Sequence, residues 1–450
     1  MCVLGFCLSE VGMETCTEGS VTMVKERPRK ARPKRTFAHR WTIMPSSKSD
    51  KLTFFMNTPN HTHYSRYASV YYPLLFCLFL SSLCIVTACF AEKLTTTLLE
   101  ERSAGSRIMS ATVEGRSLTI YLPPGYDSAA KKSAERFPSV YFYDGQEAFS
   151  GLGIAQILDD AIAAKRLKPM IVVGVHSTTQ RTSETVPYDD PWIQANWGRY
   201  TPRTSEFADL LAKRVIPAID EQFYTDKRSE KRAIMGFSLG GLFAGWCALK
   251  YPDTFGMAAC FSPSFWVADD KFFEDAQSSA TKPKRFRFDV GATTGEWNYY
   301  VPLIGVLKAR GMVYGENLMY YEDPQGRHDA TSWRERLPDA LLMFAGENRT
   351  NPLQDSIASW KIETEVIASA STAGRFFLRM NPIVTLRSGL RYSLATEAAY
   401  KLVNEQDGAL ASDGRFEFRG TRDLEVDITY KHLQKRVIIS YADVQRRMGK

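Results

Sequence analysis

The stretch AIMGFSLGGLFAGW, residues 233–246, starts as a short apolar strand, breaks at Gly236 and resumes with helical texture after two further glycines. A lone serine at such a junction adds little to packing, so its neighbours have to explain it. In a sharp strand-turn-helix the apex residue has a strained backbone, and the positions two before and two after it must be small for strand and helix to approach. Gly236 and Gly240 meet that requirement. The apex side chain then stands above the carboxyl edge of the sheet, where the next helix offers unpaired amides and the positive end of its dipole. The spacing therefore exposes the Ser238 hydroxyl at a place suited to a developing negative charge on oxygen.

Working outward, residues 92–350 alternate short β-branched or aromatic runs with amphipathic ones. Strands are expected at 117–123, 139–145, 170–176, 232–236, 257–263, 285–291 and 317–323. Helices are expected at 206–223, 239–252, 298–311 and 332–346, with Pro217 bending the first. Strands alternating with helices imply an α/β fold, a mainly parallel sheet with helices on both faces. From 351 to 450 the texture changes to short alternating strands (WKIETEVIAS, RFFLRMN, AAYKLVNE, RFEFRG, LEVDITY, KRVIISYADV) separated by Gly, Asn and Asp, which reads as a small antiparallel sandwich. That β-rich accessory region holds no dense cluster of catalytic residue types and is expected to pack or bind rather than form a second active site.

A serine nucleophile needs a base, and histidine is nearly always that base. Of six histidines, His39, His61 and His63 precede the globular part, leaving His176, His328 and His432. His432, among polar residues in TYKHLQK, reads as solvated. His328 lies in EDPQGRHDATSW, the last strand-to-helix loop, at the same carboxyl edge as the serine, and is the candidate base. His176 ends its own strand at that edge and is either a substrate contact or a buried structural residue. The acid that would orient the imidazole should follow the preceding strand, RFRFDVG. Glu296, in the loop beyond it, is better placed to reach across than Asp289 inside the strand. Asp329, adjacent to the histidine, would have to fold back on its own backbone. The second oxyanion donor must come from another strand end, and YFYDGQEAF supplies one, so the backbone amides of Gln146 and Leu239 are the candidates. Phe149, Trp192, Trp197, Trp266 and Trp297 are candidates to line a pocket, although at least half of them could serve the core instead.

The chain has 450 residues, 44% apolar and 24% charged, enough for a large core. Its formal charge of +7 comes mostly from residues 1–90, with 11 Lys/Arg against 5 Asp/Glu, leaving 46 against 45 in the remainder. That balance argues against a nucleic-acid partner. Six of eight cysteines lie in the first 90 residues; Cys247 and Cys260 each sit in apolar runs, where free buried thiols are the expectation. No metal spacing is present, and no cofactor is implied.

Residues 56–91 contain YYPLLFCLFLSSLCIVTACFA from Tyr71 on, an apolar run preceded by Arg66. It reads as a secretory leader or an uncleaved membrane helix, and both place residues after about 92 outside the cytoplasm. VTAC, ending at Cys89, resembles the lipobox of bacterial lipoproteins, which implies acylation of Cys89 and a periplasmic or outer-membrane lipoprotein. Residues 1–55 read as a disordered basic tail or an over-extended start, since a start at Met56 would give an ordinary leader.

Five blocks in one order carry a family resemblance: YLPPGYD (121–127), SVYFYDGQ (139–146), IMGFSLGGLFAGWCALKYPDTFGMAACFSPSFW (234–266), DVGATTGEWN (289–298) and GRHDATSWRERLPDAL (326–341). Together they resemble the esterase family of the α/β-hydrolase fold that includes enterochelin esterases, feruloyl esterases and S-formylglutathione hydrolase. The resemblance implies Ser238 as nucleophile, His328 as base and the amides of Gln146 and Leu239 as oxyanion hole. The family acid usually follows a Gly-x-x-Asp/Glu pattern, but here two extra residues separate Gly291 from Glu296. Some siderophore esterases of the family manage with a Ser-His pair. RTSETVP (181–187) resembles the family's Arg-containing substrate loop, making Arg181 a contact for a carbonyl or acidic group. These expectations amount to a serine esterase acting on a small-molecule or glycan-linked ester. The alternatives are an acyltransferase with the same triad and a non-catalytic surface binding protein on the same scaffold.

Overall fold

All seven strands expected from the apolar runs lie side by side in one sheet, joined by two more at its beginning. The computed structural model describes residues 94–128, 136–269, 271–292, 297–346, 357–368 and 376–448. The candidate leader with Cys89, the tail before it and Glu296 lie outside the described residues. The sheet comprises β1 (Thr96–Glu101), β2 (Arg107–Val113), β3 (Arg116–Leu122), β4 (Ser139–Tyr143), β5 (Ile171–Val175), β6 (Arg232–Phe237), β7 (Met257–Phe261), β8 (Arg285–Gly291) and β9 (Leu318–Asp323), in the order β1-β2-β3-β5-β4-β6-β7-β8-β9.

The first three strands form antiparallel hairpins and β3 is antiparallel to β5, while β5, β4, β6, β7, β8 and β9 are mutually parallel. Every residue of β4, β5, β6, β7 and β9 is buried. Helices cover both faces of a parallel sheet, so its strands read as continuous apolar runs instead of alternating ones. β1 (TTLLEE) has five of six residues exposed at the open edge and therefore carries no such signal.

Chain order reverses between β4 and β6: β5 lies on one side of β4, and β6 through β9 on the other. In open α/β sheets a crevice forms at the carboxyl ends of the strands flanking such a switch point. Ser238 follows β6 there, and Gln146 follows β4.

The helix Leu239–Lys250 is buried from Leu239 through Leu249 and packs on β6 and β7. A helix surrounded on all sides needs no polar face, which is why LGGLFAGWCALK lacks amphipathic periodicity. Its close approach depends on Gly236, where a Cβ would lie 2.4 Å from the Gly240 carbonyl oxygen. Main-chain atoms cannot rotate away, so Gly236→Ala is expected to cost at least ~3 kcal/mol, the upper end of ordinary overpacking. Thermal unfolding and turnover measure it; a variant with wild-type melting temperature and activity would refute the packing argument. The expected bend at Pro217 takes the form of a wide π-type turn over Leu211–Val215, between helical segments Thr204–Leu210 and Ile216–Gln222. A widened turn makes room for the proline ring against the preceding turn, where its missing N–H leaves one hydrogen bond unmade.

Beyond the helix Ala330–Ala345 come two antiparallel sheets. One contains β10 (Ile357–Ala368), β11 (Phe376–Leu386), β12 (Arg391–Ser393), β14 (Gly408–Leu410) and β15 (Arg415–Phe418). The other contains β13 (Ala399–Leu402), β16 (Leu424–Tyr430) and β17 (Leu433–Ile439). The expected strand KRVIISYADV divides at Ser440, whose hydroxyl caps the helix Tyr441–Arg447 by accepting from the Asp443 amide. His432 is exposed in the turn between β16 and β17.

Candidate active site

Ser238 has φ 56° and ψ −125°, a conformation that L-residues rarely adopt. Holding it costs ~1–3 kcal/mol, offset by its surroundings. The restraint is entirely main-chain: its N–H donates to the Phe261 carbonyl (3.0 Å), and its own carbonyl accepts from Gly241 (3.0 Å), Leu242 (3.1 Å) and Ser264 (3.1 Å). Its hydroxyl is therefore not what builds the turn. Positive φ recurs at the neighbouring strand ends, at Asp144 after β4 (58°) and Ser262 after β7 (41°). Strain of this kind concentrates where function needs an unusual side-chain direction.

Leu239 is the first residue of its helix and Gln146 the second of Gly145–Ser150, positions whose N–H groups have no carbonyl one turn back within the helix. The Gln146 side chain is engaged elsewhere: its Nε2 donates to the Ser177 hydroxyl and its Oε1 accepts from the Ser177 N–H (3.1 Å). It ties the β4 turn to the β5 turn, while the Gln146 carbonyl accepts from Ser150 Oγ (2.7 Å).

Arg181 makes a forked contact with buried Asp144, through Nε to Oδ1 (2.9 Å) and Nη2 to Oδ2 (2.9 Å). The same carboxylate lies at the start of the Leu239–Lys250 helix, where a Cβ on Gly240 would be 3.1 Å from Asp144 Oδ2. The expected substrate contact is thus first a strut between two strand-end turns. His176 is also committed, its Nε2 sharing a hydrogen bond with Thr119 Oγ1 (2.8 Å). Desolvation, then the nearby Arg116, lower its pKa. The histidine is half-buried, and its bond to Thr119 ties the end of β5 to β3.

His328 sits between β9 and the Ala330–Ala345 helix. The indole of Trp333 stacks on Phe237 (4.4 Å between centroids), the residue before Ser238, and meets the His328 ring edge-on (5.2 Å). One tryptophan therefore spans from the serine turn to the histidine. The loop is pinned by reciprocal caps: Asp329 accepts from Ser332 N–H (2.8 Å), and Ser332 Oγ accepts from Arg327 N–H (2.8 Å). Asp329 thus serves as the N-cap of the Ala330–Ala345 helix. The loop also rests on the end of β8, where a Cβ on Gly291 would fall 2.2 Å from the Gly326 oxygen. Desolvation pushes the imidazole pKa below its usual 6.5, followed by the cations Arg336 and Arg181, with Asp329 opposing. Because the residue is exposed, water weakens the desolvation contribution, while the two guanidinium charges still act in the same direction.

Beneath this loop runs a chain of alternating charges. Arg336 Nη2 donates to Ser262 Oγ (3.0 Å) and its Nε lies 3.4 Å from Asp289 Oδ1. Asp289 Oδ2 accepts from Arg287 Nη1 (2.6 Å), and Arg287 Nη2 lies 3.5 Å from Asp339 Oδ2. Asp339 in turn accepts from Arg391 Nη2 (2.9 Å) and the Arg391 N–H (2.9 Å). The first four side chains are almost wholly buried and Arg391 is 34% exposed. Burial raises the Asp339 pKa, with Arg287 and Arg391 opposing it. Asp289 is therefore an ion-chain member inside the sheet. Reading single residues missed this network because each charge lies in a segment that looks complete without its partner.

Trp297 opens the helix Trp297–Ala309. Trp192, Trp197 and Trp266 form an edge-on cluster with centroids 5.5–6.0 Å apart, and Trp192 is exposed. Phe149 packs against Gly174. Cys247 and Cys260 are free and buried, and burial pushes both thiols up. Among the described residues no cluster of three metal-ligating side chains occurs.

The family model described as "Putative esterase" matches residues 110–344, more than half of the chain. The chain belongs to this esterase family. Its α/β-hydrolase architecture and its class, carboxylic ester hydrolase, follow from that membership. The esterase is 27% identical over 199 residues to the uncharacterized protein YbbA of Bacillus subtilis, covering 44% of this chain and 72% of that protein. It is 28% identical over 165 residues to the endo-1,4-beta-xylanase/feruloyl esterase of Xylanibacter ruminicola, covering 36% of this chain and 21% of that one. It is 24% identical over 219 residues to the iron(III) salmochelin esterase of Escherichia coli O6:H1, covering 45% and 49%. The chain thus spans about half or less of the length of these two esterases. Among the described residues no helix is long and apolar enough to cross a membrane.

Proposed function

We propose that this esterase hydrolyses carboxylic esters through Ser238 and His328 by way of an acyl-enzyme. The observation that supports it most is Ser238 itself, held in a strained backbone by main-chain bonds alone at the sheet's switch point, with Trp333 spanning to the His328 loop. Neutral His328 takes the hydroxyl proton as Ser238 attacks the ester carbonyl. The carbonyl oxygen becomes an oxyanion facing the Gln146 and Leu239 amides, and the C–O bond to the alcohol breaks as His328 returns the proton to the leaving oxygen. Water, deprotonated by the same histidine, then attacks the acyl-enzyme, and the acid departs with Ser238 restored. Glu296 is the proposed orienting acid. Asp144–Arg181 and Gln146–Ser177 hold the oxyanion turns in place. Residues 92–350 form the catalytic region and 351–450 an accessory one.

The substrate we propose is a small-molecule or glycan-linked ester. Two relatives named for feruloyl and iron(III) salmochelin ester cleavage support that range. The apolar run from Tyr71 and the VTAC sequence ending at Cys89 support placement outside the cytoplasm, with a lipid anchor.

A panel of aryl, alkyl and glycan-linked esters, with products quantified with and without sugar or lipid acceptors, tests the reading. Free acid and alcohol in equal amounts are expected. Acyl groups found on an acceptor would replace hydrolysis by transfer, and absence of turnover together with absence of fluorophosphonate labelling in folded protein would favour a binding scaffold.

A further inference from the structure

The accessory region grips both flanks of the loop that carries His328. On the strand side, the Glu322 N–H donates to Ser393 Oγ (2.9 Å), the Glu322 carbonyl accepts from Asn381 Nδ2 (3.1 Å), and the Glu322 carboxylate pairs with buried Arg379. Glu322 is one residue from the end of β9. On the helix side, Arg391 makes a forked contact with Asp339 (Nη2 at 2.9 Å and Nε at 3.2 Å from Oδ2), donates to the Glu335 carbonyl (2.9 Å) and lies over the Tyr321 ring (4.8 Å). Asp339 and Glu335 belong to the helix that starts directly after His328. Arg379, Asn381, Arg391 and Ser393 all lie outside the family-matched residues 110–344.

From these contacts we infer that Arg391 is a positioning residue for His328, and that the accessory region serves the catalytic site by fixing the histidine helix against the sheet. The inference rests on the proposed role of His328. The ion chain transmits the effect: Arg391 holds Asp339, Asp339 shares Arg287 with Asp289, and Asp289 pairs with Arg336 on the helix that follows His328. Side chains in one such network couple, so a change at its outer end is felt at its inner one. The outer end is also where a substitution is tolerated, because Arg391 alone is partly exposed. Lysine can supply the charge but not the planar fork.

The test uses the full chain with Arg391→Gln and Arg391→Lys, steady-state kinetics on a soluble aryl ester, and the rate of fluorophosphonate labelling. For Arg391→Gln we expect kcat to fall about tenfold with KM within about twofold, and labelling to slow in parallel. Arg391→Lys should recover part of the loss. If Arg391→Gln does not fold, Arg391→Lys alone is read, with a reduced kcat at unchanged KM as the expected result. A wild-type kcat in folded variants, even with a lowered melting temperature, assigns Arg391 to stability alone and overturns the inference. Ser238→Ala and His328→Ala run alongside. If they keep wild-type turnover, the proposed function and the inference fall together; if they lose it while the Arg391 variants do not, only the inference falls.

Discussion

Ser238→Ala is expected to remove turnover of every ester the wild-type protein cleaves, a fall on the order of 10⁴–10⁶ in kcat. That corresponds to ~5–8 kcal/mol of lost transition-state stabilisation. The same substitution should leave the fold intact. All the bonds that hold residue 238 in its turn, to Phe261, Gly241, Leu242 and Ser264, are made by its backbone and survive in alanine. Alanine at φ 56° is strained much as serine is, so the melting temperature should stay close to that of the wild type. Labelling by a fluorophosphonate should disappear altogether, since the reagent needs the hydroxyl. The residual rate should exceed the uncatalysed one because the Gln146 and Leu239 amides are untouched. A loss below tenfold, or labelling that persists at another serine, would remove Ser238 from the nucleophile role.

The serine turn is legible in the amino-acid sequence because its sterics dictate which residues can build it. A close backbone approach demands glycine at 236, a Cβ at 240 would press on the Asp144 and Tyr143 side chains, and the strand before them, buried on both faces, must be an apolar run. The other buried strands are legible for the same reason, and β1 is not, because an exposed edge strand with the sequence TTLLEE has no buried face to impose a pattern. Charges behave differently. Asp289 and Arg287 are both in β8, and ranking Asp289 below Glu296 on reach alone does not reveal that it belongs to an ion chain with Arg336. Nor can the sequence indicate that Asp144 clamps Arg181, 37 residues away, or that Trp333 touches both Phe237 and His328. Pairing of this kind depends on which loops the sheet brings together, and that is known only once the strand order is known. The accessory strands are visible as alternation, whereas their anchors are not: Arg391 and Ser393 lie in RYSLAT, between the expected strands.

His328→Ala is expected to cost about 10³–10⁵ in kcat/KM and to erase the acid limb of the pH profile. Only the neutral imidazole can accept the Ser238 proton, so activity falls as pH drops through the histidine pKa. An isolated imidazole would place that limb near 6.5; desolvation, Arg336 and Arg181 each disfavour the imidazolium and move the limb to lower pH, with Asp329 opposing them. The wild-type kcat/KM should therefore reach half its plateau below pH 6.5. Arg181→Gln tests the direction of that shift. Removing a cation stabilises the imidazolium, and leaving Asp144 without its partner acts in the same direction, so the limb must move to higher pH. Glu296→Gln separates a triad from a Ser-His pair, because loss of an orienting carboxylate lowers kcat by orders of magnitude, whereas a pair loses only a few fold. A wild-type limb at or above 6.5, or one that survives in His328→Ala, would mean that another group removes the serine proton.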